Sequence, residues 1–231
     1  MGAGGVNGLE PSDFLGYAEI LRAGMARSRA DSVSNWPSVL GILGPANEAV
    51  TACVASIVAR PDRAFAQEEI QEKLRRATIH SAFIQGIHVV EYCISNGNYA
   101  QAAAMVRMEI EAVEGLRGIR QRKQRDGETP RLLALRHLGR TYSQLTGLAH
   151  LSTHDLLSQV VNPEIGNIDH VFNVNFARHM FGTHLSALAA FALDLSEFRP
   201  IDETKRLSEQ EAEYLSAVFG VLVSEKFIKM K

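Results

Sequence analysis

Polar side chains interrupt two otherwise apolar helical segments of this sequence. Arg107 and Glu111 are four residues apart, a spacing that places them side by side on a helix. The most apolar segment further along is punctuated by Asn173, Asn175, Arg178, His179 and His184. Burying such groups unpaired costs several kcal/mol, so they must pair with one another, line a pocket or face a partner. The sequence leaves all three alternatives open.

Two histidines have a spacing that is compatible with zinc. His150 and His154 are four residues apart, which places both imidazoles on one face of a helix. Asp155 is the one neighbouring residue that offers a third ligand, and Ser152 with Asp155 predicts the start of a new helix between the histidines. We therefore expect a loop-and-cap role for this pair, and neither a metal site nor a cofactor.

A further group of residues suggests a pocket for a small molecule. His80 and His88 share one face of a predicted helix, and Glu91 lies one turn beyond His88, where it can fix the tautomer of the imidazole. A small-molecule sensor would use a pocket lined by His88, Tyr142 and His179. A hydrogen bond within the core explains the His88 and Glu91 pair equally well.

Positive charge is concentrated between residues 117 and 140. The cations are Arg117, Arg120, Arg122, Lys123, Arg125, Arg131, Arg136 and Arg140. Only Asp126 and Glu128 oppose them, so this segment carries +6 and the remainder of the chain −8. A hairpin of two helices would present the segment as a basic surface able to contact phosphates. Solvated side chains that offset a helix dipole explain it as well, and no interleaved aromatic residue supports base stacking.

Several common signatures of catalysis are missing from the sequence. It contains no phosphate-binding P-loop, no dinucleotide-binding glycine motif, no HExxH zinc motif, no GxSxG nucleophile elbow and no CxxC pair. Glu-x-x-His, the motif of di-iron bundles, is absent too. The two cysteines, Cys53 and Cys93, suit a reducing compartment rather than a disulfide framework.

Composition and periodicity predict the framework that positions these residues. The 231 residues are 46% hydrophobic and 22% charged, with a net charge of −2, which is typical of a globular protein. We expect a soluble, cytoplasmic chain with no membrane span and no export leader. Apolar residues recur at helical spacing and strand alternation is absent, so the prediction is all-α, with about eight helices in a bundle-like arrangement. Residues 1–9 are predicted to be a disordered tail and residues 10–231 a single domain.

Local signals set the expected helix boundaries. Pro45, at a first helical position, and Pro130 each predict a helix start, and Gly97 predicts a left-handed helix end. Long helices are expected over residues 66–95 and 168–198, the second being the most buried. Capping boxes are expected at Ser152 with Asp155 and at Ser208 with Glu211.

The middle of the chain resembles the HEPN-like helical bundles, a superfamily of small all-α prokaryotic proteins of toxin and defence systems. The residues behind the resemblance are the Arg107–Glu111 segment of one helix and the Tyr142–His150 segment of the next, with residues 66–198 as the core. Members that act as ribonucleases use an R-x4-6-H motif across a dimer. Here Arg178 and His184 fit that motif in the late long helix. The resemblance implies that Arg178 would stabilise phosphorane charge and that His184 would handle the proton of the 2′-hydroxyl.

We therefore expect a binding or regulatory module that self-associates as a homodimer, in a prokaryotic defence or toxin–antitoxin setting. Small residues on helix faces permit the close packing that self-association needs. The expected binding residues are Arg107, Glu111, Tyr142, His150, His154 and His179. A protein partner is one expectation, and nucleic acid is another, through Arg117, Arg120, Arg122, Lys123 and Arg125. The alternatives are a metal-independent ribonuclease and a small-molecule sensor.

Overall fold

Helices are the regular secondary structure of the described part of the chain. A computed structural model describes residues 11–61, 70–123, 127–152, 158, 172–202 and 204–228. Within these ranges there are seven α-helices, a short 3₁₀ helix and no strand, which confirms the all-α prediction. The α-helices are α1 (Pro11–Leu40), α2 (Leu43–Val58), α3 (Ile70–Ser95), α4 (Tyr99–Arg120), α5 (Gly139–Ala149), α6 (Val174–Phe198) and α7 (Glu209–Ser224), and the 3₁₀ helix is Arg136–Leu138.

Helix α6 is the centre of the arrangement. It packs against α1, α2, α3, α4 and α7, and α3 and α4 pack against each other as an antiparallel pair. Leu185, Leu188 and Leu195 are all 0% exposed. A helix with apolar residues on more than one face must be covered on more than one side, as the sequence pattern predicts. The polar residues Thr183, His184, Ser186 and Asp194 of α6 are thereby carried into the core, whereas Asn175 and His179 stay exposed.

The predicted helix start at Pro130 is wrong. The chain remains irregular from residue 127 to 135, and α5 begins only at Gly139. The reason is Glu114, whose Oε1 accepts hydrogen bonds from the backbone N–H of Leu133 (2.8 Å) and of Leu135 (2.7 Å). A buried carboxylate on α4 therefore satisfies amides that a helix would otherwise use.

The start of the last long helix also differs from the prediction of residue 168. Helix α6 begins at Val174, because Asn173 is its N-cap and accepts a hydrogen bond from the N–H of Phe176 at 3.0 Å. The capping box of α7 is confirmed, with Ser208 and Glu211 bonded reciprocally. Gly97 has a φ of +72°, which confirms the predicted left-handed helix end.

The predicted start of α2 also needs correction. Helix α2 begins at Leu43, so Pro45 is its third residue rather than its first. On α1 and α3, the apolar side chains of Met25, Ile70 and Leu74 are 55%, 79% and 62% exposed. The apolar stripe of α3 that does face the core contains Phe83, Ile87, Val90 and Ile94.

Some expectations fall outside the described residues. These are the tail 1–9, the first residues of the predicted 66–95 helix, and most of the predicted helix after Ser152. The Ser152 hydroxyl donates to the carbonyl of Gly147 at 3.1 Å, at the end of α5.

None of the described helices is, by itself, long and apolar enough to cross a membrane. One pair, Arg22–Leu40 with Leu43–Val58, meets the requirement of length and composition jointly, but it is bent by 82°.

Candidate functional site

Four of the predicted binding residues meet on the surface of α4 and α5. The Arg107 Nε donates to Glu111 Oε1 at 2.8 Å, and the Tyr142 hydroxyl donates to the same oxygen at 2.5 Å. Arg107 also lies over the Tyr142 ring, with its Cζ 5.6 Å from the centroid. His150, directly after α5, places its Nε2 3.4 Å from Arg107 Nη1. We call Arg107, Glu111, Tyr142 and His150 the arginine cluster.

The geometry of the arginine cluster leaves hydrogen-bonding capacity unused. Glu111 fixes Arg107 through Nε, so the two terminal nitrogens point away from that carboxylate. Burial raises the pKa of Tyr142, as does its hydrogen bond to Glu111, so the phenol stays a neutral donor. Arg107 and Glu111 are each about a quarter exposed. The terminal nitrogens of Arg107 therefore offer N–H donors at the surface, and His150 Nε2 faces one of them as an acceptor.

An apolar cavity lies beside this cluster, between α3 and α4. Its volume is about 270 Å³. Its lining residues are Ile79, Ala82, Phe83, Gly86, Met105, Met108, Glu109, Glu111, Ala112, Gly115 and Pro130. Small residues keep it open: a Cβ built on Gly86 would lie 3.5 Å from the Met105 methyl, and one on Gly115 3.7 Å from Ile79. Glu111 belongs to both the cavity and the arginine cluster, so the two form one continuous site.

Glu109, which lines this cavity, belongs to a buried ion pair with His184 of α6. His184 is 0% exposed and its Nδ1 lies 2.9 Å and 2.8 Å from the two carboxylate oxygens of Glu109. The other nitrogen, Nε2, lies 3.9 Å from Glu91 Oε1. That distance is too long for a direct hydrogen bond. Glu91 in turn accepts a hydrogen bond from Asn47 Nδ2 at 2.7 Å.

The ion pair changes the titration of its members. Burial alone would lower the pKa of His184, but the carboxylates of Glu109 and Glu91 outweigh it and raise that pKa to about 9. Burial raises the pKa of Glu109, and His184 opposes this rise only in part. Burial also acts to raise the pKa of Glu91, but the nearby imidazole of His184, the hydrogen bond from Asn47 and the charge of His88 outweigh it, so the net shift is downward. A positive imidazolium is thus held between two carboxylates inside the bundle.

Arg178 and His184, the pair expected for RNA cleavage, have separate partners. Arg178 donates to the carbonyl of Val39 at 3.0 Å and to Glu225 Oε2 at 2.7 Å, which ties α6 to the end of α1 and to the end of α7. His184 is fully buried against Glu109. In this arrangement His184 has no access to a phosphodiester. The ribonuclease function stays a prediction, to be tested by RNA cleavage with and without the substitution Arg178→Ala.

The three residues predicted to line one pocket, His88, Tyr142 and His179, do not lie together in the structure. His88 lies beside Glu91, with its Nδ1 3.7 Å from Glu91 Oε2. Tyr142 belongs to the arginine cluster. His179 lies near Phe227 at a ring distance of 6.1 Å, in a cleft with Arg178 and Glu225, and burial lowers its pKa. The three side chains project from α3, α5 and α6 into three separate places.

The basic segment is partly neutralised by α6. Arg120 Nη1 lies 3.1 Å from Asp194 Oδ1 and 3.6 Å from Glu197 Oε1. Arg122 and Lys123 are exposed, whereas Arg125 falls outside the described residues. This face therefore presents less positive charge than the +6 counted for residues 117–140 in the sequence, because acidic residues of α6 lie against it.

His154 of the predicted histidine pair lies outside the described residues. Within the described ones, no group of three or more His, Cys, Asp or Glu side chains is placed to hold a metal ion.

The sequence analysis did not identify Glu109, although its position on α4 gave a signal. Glu109 lies on the apolar stripe of α4 with Val106 and Val113, where a carboxylate requires a buried partner.

Comparison of the chain with protein-family models, with curated proteins and with solved structures finds no match. Function must therefore be argued from the chemistry of the site.

Proposed function

We propose that this protein is a small-molecule-binding module whose ligand is an organic acid with an apolar body. The apolar body would occupy the cavity between α3 and α4, and the carboxylate would bind the terminal nitrogens of Arg107. The observation that carries the proposal is the continuity of the two parts through Glu111. Apolar walls with a few converging polar groups are typical of small-molecule sites.

Charge and hydrogen bonding favour an acid over an amine at this site. Glu111 already accepts hydrogen bonds from Arg107 and Tyr142, and Glu109 is paired with His184. Both carboxylates therefore already have a positively charged partner within the protein. Arg107 retains its terminal N–H donors, and a guanidinium binds a carboxylate with paired hydrogen bonds. His150 Nε2 lies 3.4 Å from Arg107 Nη1 and accepts from it, because a guanidinium can only donate.

The size of the cavity limits the ligand. A volume of about 270 Å³ is slightly below the roughly 300–1,000 Å³ of sites that hold drug-sized compounds. Medium-chain acids such as octanoic acid match this volume and leave the carboxylate at the mouth. Met105 and Met108 are flexible and polarisable, which suits a wall that closes around alkyl chains.

The test is calorimetric titration of the full chain with octanoic acid and, separately, octan-1-ol. We expect the acid to bind and the alcohol to bind at least about tenfold more weakly, because the alcohol cannot pair with Arg107. The substitution Arg107→Gln should weaken the acid by roughly 10–100-fold and leave the alcohol unchanged.

Two more variants complete the design. Ala112→Leu would fill the cavity and should weaken acid and alcohol together, whereas Arg122→Gln removes an exposed cation elsewhere and should change neither. Equal affinity of acid and alcohol, or acid binding that survives Arg107→Gln, would refute the role given to Arg107. Absence of binding by acids of every chain length from butanoic to decanoic would reject the proposal.

A further inference from the structure

A second cleft lies on the other side of the buried ion pair, between α1, α2, α3 and α6. Its volume is about 440 Å³. Its walls are Trp36 and Leu40 of α1, Gly44, Asn47 and Glu48 of α2, His88, Glu91, Tyr92 and Ser95 of α3, and Phe181 of α6. Among these described lining residues there are two carboxylates, three aromatic rings and no lysine or arginine. The proposed acid site does not use any of them.

The aromatic rings form a wall suited to a cation. Trp36 and Phe181 are in edge contact, with ring centroids 5.2 Å apart. Tyr92 is 53% exposed, so about half of its side-chain surface is accessible to a ligand. The faces of tryptophan and tyrosine rings attract cations, most strongly where water is excluded.

Glu91 receives one hydrogen bond from a neighbouring helix. Asn47 donates its amide N–H to Glu91 at 2.7 Å, which turns its carbonyl oxygen away from that carboxylate. Within the part of the chain that the structure describes, no group donates to this buried Oδ1. An acceptor left in this way costs free energy unless a donor reaches it.

The two carboxylates of the cleft have only distant cationic neighbours among its described lining residues and the core. Glu91 faces His88 at 3.7 Å and His184 at 3.9 Å, and Glu48 adds a second carboxylate at the exposed side. His184 is paired more closely with Glu109, at 2.8 Å, so Glu91 shares its positive charge with a second carboxylate.

We propose that this cleft binds a primary ammonium group carried on a short apolar stem. The ammonium would donate N–H to Glu91, with Glu48 at the entrance and the stem against Trp36 and Tyr92. A primary ammonium is favoured over a quaternary one because a carboxylate accepts charge-assisted hydrogen bonds, which a quaternary group has no N–H to donate. The inference is independent of the acid site, since the two sites share no lining residue.

Trp36 makes the test direct, because it is the one tryptophan in the sequence and lines the cleft. Its fluorescence is followed while the full chain is titrated with 2-phenylethylamine, with 2-phenylethanol, and with the N,N,N-trimethyl derivative of the amine. We expect saturable binding of the amine, and affinities at least about tenfold lower for the alcohol and for the trimethyl compound. Equal binding of the trimethyl compound or of the alcohol would overturn the proposal, as would absence of amine binding.

Variants locate the site. Glu91→Gln should weaken the amine by roughly tenfold or more, and Glu48→Gln by a smaller factor. Glu213→Gln, which neutralises an exposed carboxylate of α7, is the matched control and should change nothing. If Glu91→Gln fails to fold, Glu48→Gln and Tyr92→Leu, both at exposed positions, keep the test decisive. Unchanged amine affinity in these two variants would place the amine elsewhere and refute the assignment.

Discussion

At the scale of single residues, the His184 and Glu109 pair is the most consequential contact of the core. Both side chains are buried, so removing one leaves an uncompensated charge in an apolar setting. We expect His184→Leu to lower the free energy of unfolding by about 3–5 kcal/mol in urea titrations. The double variant His184→Leu with Glu109→Leu should recover most of that loss, because no lone charge remains. A double variant as unstable as the single one would contradict this account.

The same pair makes stability depend on pH. The pKa of His184 is about 9 in the folded chain against an ordinary value of 6.5. The protonation of His184 therefore adds its full contribution to the free energy of unfolding below pH 6.5, and this contribution is lost as the pH rises through 9. We expect the free energy of unfolding to fall by about 3 kcal/mol over that window, at ~1.4 kcal/mol per pKa unit. The double leucine variant should lack this fall, and an identical pH slope in both proteins would show that other groups cause it.

At the scale of elements, Glu114 decides where the connection between α4 and α5 can be helical. Its two hydrogen bonds to the amides of Leu133 and Leu135 hold that connection against α4. We expect Glu114→Ala to speed hydrogen exchange of these two amides and to cost about 1–3 kcal/mol of stability, since buried donors lose their acceptor. Glu213→Ala on α7 is the control. Unchanged exchange at Leu133 and Leu135 would show that the carboxylate does not hold the connection.

Helix boundaries were predicted correctly where they depend on residues close in sequence. Periodicity predicted the helical class, and cap residues predicted the end of α3 and the start of α7, because caps act through contacts within a few residues. Pro130 misled because the partner that overrides it, Glu114, is distant along the chain. The start of α6 was misplaced for a different reason: Asn173 was read as a polar residue inside a helix rather than as its N-cap.

At the scale of the whole molecule, the beginning of α3 exposes two large apolar side chains that are candidates for the predicted self-association. Ile70 and Leu74 are 79% and 62% exposed and lie one turn apart on α3. We expect a homodimer by light scattering coupled to size-exclusion chromatography, and a monomer for Leu74→Glu, since a charge at this position opposes burial. Absorbance at 260 nm in low salt would reveal nucleic acid on the basic segment. A monomeric wild type would refute the dimer.

The candidate site was only partly visible in the sequence. The spacing of Arg107 and Glu111 predicted their pairing, because neighbours on one helix are fixed by its geometry. The approach of Tyr142 and His150 depends on how α5 packs against α4, which spacing does not specify. The cavity depends on the absence of side chains at Gly86 and Gly115, and its outline becomes visible only once both helices are in place.

The most direct test of the central claim is methyl NMR of methionine in the full chain titrated with octanoic acid. Met105 and Met108 line the cavity between α3 and α4, while Met180 is buried elsewhere and Met25 is exposed on α1. We expect the methyl signals of Met105 and Met108 to shift saturably with the acid, far less with octan-1-ol, and those of Met180 and Met25 to stay in place. Stationary signals for Met105 and Met108, or equal shifts at all four methionines, would contradict the account.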